Sequence, residues 1–321
     1  MKILSKIVLI LSFLLCLLPH LFAEDNSPKP LVYVIVFARN EDPSNPLYPN
    51  FIDNKKEYVH YRNRILKLSK VLNENKIPWS LQTEWNFLEG VLKYEVREKN
   101  TPLLSKTDGL NIISYLKKRG VEIDPSSSED YGYNYADIAY LIHECGEEPA
   151  SVVARHTLNP KDNISQSWIR FIEGIYGKKY GSKAFFQPKI LTGTDIYKRE
   201  NEIVSSCVWR PKSKDDFFAD NPIGNLMVVG QYGKDMLSLK NLLSKIQSGE
   251  LPNGKMYTTC IFIDDNNLDK DMNFNLLISN SIKPLVKMRE QGLIQLVYLE
   301  DVPKIWKERY NEEGFVYGPY Y

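Results

Sequence analysis

Val121-Glu122-Ile123-Asp124-Pro125-Ser126-Ser127-Ser128-Glu129, followed by Tyr131-Gly132-Tyr133-Asn134-Tyr135-Ala136-Asp137, decides how the chain is read. A short β-branched run ends in an acid; a proline, three hydroxyls and a second acid come next. The run predicts a buried strand, and Asn134 predicts the start of a helix. In a barrel of alternating strands and helices, side chains just past a strand's C-terminal end enter a shared mouth. Asp124 and Glu129 are therefore the first candidates for chemistry. A solvated loop with a helix cap is the plainer reading of the same composition.

The pattern around this stretch repeats along the chain. Apolar runs at 31–37, 79–82, 121–124, 151–154, 189–193, 205–209, 226–230, 257–263 and 294–299 read as strands. Helical periodicity occupies 54–75, 87–96, 109–118, 134–145, 159–183, 237–247, 273–291 and 300–310 between or after them. In the first helix Tyr58, Tyr61, Ile65, Leu68 and Leu72 share one face. Sustained alternation of strand and helix predicts an α/β fold with a parallel sheet, at this length a (β/α) barrel of seven or eight strands, irregular, in one domain. Nine runs are one or two too many for a regular barrel. Either the weak run at 189–193 is loop, or one run lies outside the ring.

The ends and the charge narrow the setting. Lys2 and Lys6 precede an apolar run at 7–18, and Leu21-Phe22-Ala23 ends in a small residue. This predicts a signal peptide over 1–23, cleaved after Ala23, and a mature domain over 24–321 that is exported to the periplasm or the outside. The run is too short to cross a bilayer, which takes about 20 residues. Cys16 is a poor lipid-anchor site, because leucines precede it. Lysine plus arginine number 41 against 40 acids, with no basic stripe, so nucleic acid is not an expected partner. Cys145, Cys207 and Cys260 remain in the mature chain, far apart; they read as buried thiols, with a single bridge as the alternative.

The opening stretch resembles a segment of the polysaccharide deacetylase-like (NodB-type) family of glycoside hydrolase/deacetylase barrels. Trp85-Asn86-Phe87, the segment from Ser206 to Ser213, Val229-Gly230-Gln231-Tyr232 and Gly254-Lys255-Met256-Tyr257-Thr258 are similar to segments of the same group. The resemblance implies a barrel that hydrolyses N- or O-acyl groups on a glycan, using a zinc-like divalent metal held by one aspartate and two histidines. Ser126 and Ser128 stand where those histidines would fall. The metal site expected from the resemblance is therefore degenerate. Glu41-Asp42 occupies the neighbourhood of the family's first-strand aspartate pair.

The strand ends form one candidate set: Asp42, Glu84, Asp124, Glu129, His156, Arg210, Gln231, Asp264 and Glu300 among them. Asp42, Asp124 and Glu129 are the candidate catalytic acids. Two carboxylates across a mouth can hydrolyse a glycosidic bond without metal. Acids with a histidine can instead hold a metal that activates water. His156 is the one histidine beside a strand end, hence the candidate metal ligand; His60 and His143 lie inside helices and read as structural. Trp85, Glu84, Ser126, Ser128, Tyr131, Arg210 and Tyr232 are candidates for binding a sugar through hydroxyl contacts and ring stacking. The expected partner is a carbohydrate, either as substrate or as the ligand of a non-catalytic descendant.

Overall fold

The computed structural model describes residues 29–40, 50–98, 101–127, 132–154, 157–158, 164–192, 195–196, 205–213 and 216–318. Seven short strands carry the architecture: β1 (Val32–Arg39), β2 (Ser80–Thr83), β3 (Glu122–Pro125), β4 (Val152–Ala154), β5 (Ile190–Thr192), β6 (Met227–Val229) and β7 (Thr258–Ile263). Parallel ladders join β7, β1, β2 and β3 in that order, and β4, β5 and β6 in that order. Single parallel bridges, Ser126 to Ala154 and Tyr232 to Thr259, link β3 to β4 and β6 to β7. The seven strands thus run once around in chain order and close on themselves, the arrangement of a (β/α) barrel.

Helices α1 (Lys55–Glu74), α2 (Trp85–Val91), α3 (Ile112–Lys118), α4 (Tyr135–Glu144), α5 (Ile164–Glu173), α6 (Met236–Gln247), α7 (Asp265–Asp269), α8 (Asp271–Leu277), α9 (Lys283–Glu290) and α10 (Val302–Tyr310) fall between or after the strands. β1 shows why the ring forms. All eight of its residues are buried, as expected of a strand covered on both faces. Val34, Val36 and Ala38 pack outward with Ile65, Leu68 and Leu72 of α1. Tyr33, Ile35 and Phe37 point inward with Val152, Ile190, Val229 and Cys260. The lower part of the barrel is therefore solid and apolar. Its N-terminal end is stoppered by α10: Trp306 and Tyr310 join the inner cluster, and the Tyr310 ring meets Tyr33 edge-on at 6.0 Å.

Three sequence expectations change. The weak run at 189–193 is a ring strand, β5, whereas the stronger-looking run at 205–209 is not. Its core, Val208–Trp209, pairs antiparallel with β6 and lies outside the parallel ring. Among the described residues Ile294–Leu296 pairs only with the first half of β1, through Val32–Val34, while β2 takes Phe37–Arg39 farther along the same edge. The helix expected over 159–183 stops at Glu173. Gly174 follows at φ +84°, a left-handed conformation that favours glycine and ends helices. The chain then makes an antiparallel hairpin of Ile175–Gly177 and Gly181–Phe186. Cys145, Cys207 and Cys260 are buried free thiols. Among the described residues no helix is long and apolar enough to cross a membrane.

The hairpin is tied to the barrel by one buried carboxylate. Asn134 and Asp137 form a capping box at the start of α4. Asp137 also accepts the backbone N–H groups of Lys178 (2.8 Å), Lys179 (3.1 Å) and Tyr180 (2.9 Å). A Cβ on Gly177 would lie 2.1 Å from Asp137 Oδ1, so only glycine lets the turn approach this closely. Asp137→Ala leaves these donors without a partner. We expect it to lower the unfolding free energy by about 3 kcal/mol, read as a lower urea midpoint. A change below about 0.5 kcal/mol would show that the turn is held elsewhere.

Candidate active site at the barrel mouth

The C-terminal half of the barrel interior is polar. Side chains alternate between faces along a strand, so Glu122, Asp124 and Ser126 share the inner face of β3. The register places Ser80 beside Glu122 and Gln82 beside Asp124, and Arg39 beside Gln82. Arg39, Gln82 and Asp124 therefore form a row across three neighbouring strands. Arg39 is fixed there: Nε and Nη2 both donate to Gln82 Oε1, at 3.1 and 2.6 Å. Its guanidinium lies over the rings of Phe37 and Phe262. One step nearer the rim a second row holds Ser126, Ala154 and Thr192. Gln231 donates to Thr192 Oγ1 at 2.6 Å. At the rim itself, Asn40 Oδ1 accepts the N–H of Glu84 at 3.2 Å.

Many of these groups lack a partner. Both oxygens of Asp124, Ser126 Oγ, Gln82 Nε2, Asn40 Nδ2 and Gln231 Oε1 make no hydrogen bond, although each is buried. Folded proteins rarely leave buried polar atoms unpaired, and a cluster of them marks a place for water or a ligand. Asp124 is 0% exposed. Burial pushes its carboxyl from the ordinary 3.8 up to about 6, while the polar groups of Glu122, Ser80 and Gln82 oppose the rise. Glu122 is driven well above its ordinary range, by burial first and by the charge of Asp124 second. Two carboxyls this close do not both ionise readily, so Asp124 carries the charge of the pair near neutral pH.

The sequence candidates divide into three groups. Asp124, Ser126 and Glu84 are at the mouth, all fully buried. Asp42, Ser128, Glu129, Tyr131 and His156 lie outside the described residues. Trp85, Arg210 and Tyr232 are each engaged in contacts of their own. Trp85 is stacked on Tyr133 at 4.9 Å and 8°, so that ring face is a wall of the rim and is closed to a sugar. Arg210 follows the antiparallel strand and points to the opposite end, where it lies 4.7 Å over Trp306 and pairs with Glu312 at 3.3 Å. Tyr232 faces outward, stacked on Tyr317 and bonded to Asn241. Arg39, Asn40, Gln82 and Thr192 were not among the sequence candidates. Their signal was a polar residue inside or ending an otherwise apolar run, as in Trp79-Ser80-Leu81-Gln82.

Among the described residues no three His, Cys, Asp or Glu side chains converge on a point that could hold a metal ion. Ser126 offers a neutral hydroxyl, a weak ligand beside imidazole. Of the positions to which the resemblance points, only Ser126 lies among the described residues; Asp42, Ser128 and His156 do not. His143 is exposed and pairs with Glu148, and His60 is exposed beside Arg64.

No family model and no curated protein matches the chain. Among solved structures it is similar to one described as the crystal structure of Puue allantoinase, with 11% identity, a TM-score of 0.47, and coverage of 88% of this chain and 94% of that one. A likeness at this level carries no argument about activity; the barrel rests on the strand pairings above.

Proposed function

We propose that the chain is an exported, hydrolase-type barrel that takes a glycan or its acyl substituent at the mouth and works by metal-independent acid–base chemistry on Asp124. The observation that carries this reading is Asp124 itself: a wholly buried carboxyl, faced by the polar groups of Glu122, Ser80 and Gln82, at the polar end of an otherwise apolar barrel. Such a group is destabilising unless it serves a ligand. Neutral donors and acceptors left open around it, on Gln82, Asn40, Ser126 and Gln231, suit the hydroxyls of a sugar, which both donate and accept. Above about pH 6 the ionised Asp124 takes a proton from an attacking water and returns it to the leaving oxygen or nitrogen. Arg39, two strands away in the same row and bonded to Gln82 Oε1, gives the mouth a fixed positive charge that favours developing negative charge. The apolar lead at 7–18 supports export, and the resemblance of the β3 segment to deacetylase barrels supports a glycan.

The test is a panel of acetylated glycans and unmodified oligosaccharides offered to the mature protein with chelator present. Turnover is expected to survive chelation, to rise with pH through a group near 6, and to fall about 10²–10⁴-fold in Asp124→Asn. Sugar binding without turnover, weakened by Gln82→Ala, would instead favour the non-catalytic reading. Turnover that chelator abolishes and metal restores would overturn metal independence.

A further inference from the structure

The hairpin that follows α5 presents an aromatic, basic face beside the mouth. Its strands, Ile175–Gly177 and Gly181–Phe186, turn one side to the barrel and the other to solvent. On the barrel side Ala184 is buried and Phe186 meets the Tyr135 ring at 6.2 Å. On the other side Tyr176 and Phe185 are cross-strand partners. Their ring centres lie 5.2 Å apart, and the residues remain 60% and 53% exposed. Lys183 is exposed two residues before Phe185, on the same face of the strand. Lys178 and Lys179, also exposed, occupy the turn. Between Glu173 and Asp195 the sequence holds four lysines and no acid. An exposed pair of large rings is unfavourable in water and marks a contact surface, and the charge around this pair calls for an anionic partner.

The position of the hairpin narrows the class of partner. Asp137 draws the turn down onto α4 through the N–H groups of Lys178, Lys179 and Tyr180. The Tyr180 hydroxyl donates to Glu89 at 2.5 Å. Lys179 Nζ lies 5.5 Å from the centre of the Tyr133 ring, which is stacked on Trp85 at the rim. Entry into a bilayer buries apolar side chains about 5–10 Å deep, but here the tip is basic and pinned, and the rings lie behind it. A stable protein interface takes about 800 Å² from each partner, far more than two rings offer. A polymer of sugar rings needs only ring faces in line with charges. We propose that the outer face of the hairpin is a platform for a linear anionic glycan, Tyr176 and Phe185 stacking on its sugar rings and Lys179 and Lys183 meeting its acidic groups. A strand laid there leads past Tyr133 to the mouth. This rests on the glycan reading of the mouth and narrows it to acidic polymers.

The experiment is calorimetric titration at low salt of the Asp124→Asn protein, in which binding is read without turnover. The probes are polygalacturonate, a phosphomannan, dextran, polyglutamate and phosphatidylglycerol vesicles. At least one acidic glycan is expected to bind about tenfold more tightly than dextran, which lacks charge, or polyglutamate, which lacks sugar rings. Tyr176→Thr/Phe185→Thr, which keeps strand-forming residues, should weaken it about tenfold. Lys179→Ser/Lys183→Ser should do the same at low salt and have little effect at high salt. Failure of both acidic glycans to bind would overturn the proposal, as would equal binding of polyglutamate. Undiminished affinity in Tyr176→Thr/Phe185→Thr with native melting behaviour would also overturn it, and so would a preference for the vesicles. Hairpin-dependent binding with no turnover of any glycan by the unaltered protein would support the platform and sink the chemistry of the mouth. Turnover of neutral glycans without binding of acidic ones would do the reverse.

Discussion

Asp124→Asn is expected to make the protein more stable while it removes function. At pH 8 the gain should be about 3 kcal/mol, the free energy equivalent of moving a carboxyl from 3.8 to about 6 on folding. The sign follows from the direction of the shift. A carboxyl whose folded value is raised holds its proton more tightly in the native state, so between about pH 4 and pH 6 stability falls as pH rises. Above that window the whole penalty is present, because burial of the charge outweighs the polar groups of Glu122, Ser80 and Gln82 that oppose it. Asparagine approximates the neutral form and escapes the penalty. Below about pH 4 Asp124 is protonated in both states and the substitution should give little. Urea unfolding of the two proteins at pH 8 and at pH 3.5 checks this. An equal gain at both pH values, or a loss at pH 8, would mean that Asp124 is paired in solution, and its candidacy at the mouth would fail with it. Glu122 is raised by burial first and by the charge of Asp124 second, so part of the gain at pH 8 is the relief of that coupling.

The physical reason that Asp124 could be picked out beforehand is positional. An acid that closes a β-branched run must project either into the mouth or into the wall, and the proline after it fixes where the strand ends. What the sequence could not convey is company. Gln82 and Arg39 reach Asp124's row only through register between strands far apart in the chain, and register has no local signature. The same limit misled the reading of 189–193 and 205–209. Ile190–Thr192 is short but lies between two parallel neighbours, whereas Val208–Trp209 is just as apolar and reverses direction. Strand content alone cannot separate these cases, because burial selects the same residues in both. Arg210 and Tyr232 followed from that ambiguity: each ends or follows an apolar run, yet one points to the far end and the other outward. Capping chemistry transferred better. Asn134 begins α4 where its side chain said it would, since the bonds it makes are local.

Arg62→Leu should be the most damaging single change in the scaffold, at about 3–5 kcal/mol. Periodicity reads Arg62 as an ordinary polar position of an amphipathic helix, but it lies on the same face as Tyr58 and Ile65 and is 0% exposed. Its Nε donates to Glu95 Oε1 at 2.8 Å, and its Nη2 donates to Glu95 Oε2, Leu103 O and Thr107 Oγ1 at 3.0 Å each. Glu95 also accepts from the Tyr58 hydroxyl and, at 3.0 Å, from the N–H of Ile112. One ion pair thereby fastens α1, the turn after α2, the segment at 102–106 and the start of α3. Removing the arginine alone strands a buried carboxylate and two acceptors. Removing both charges relieves that carboxylate, so Arg62→Leu/Glu95→Leu should recover a substantial part of the loss, the remainder reflecting the orphaned Tyr58 hydroxyl and Ile112 N–H. Urea midpoints of the two single variants and the double variant form a closed cycle. A double variant as damaged as the two singles added together would show that the pair does not act as a unit, and that the segments are held by their apolar contacts instead.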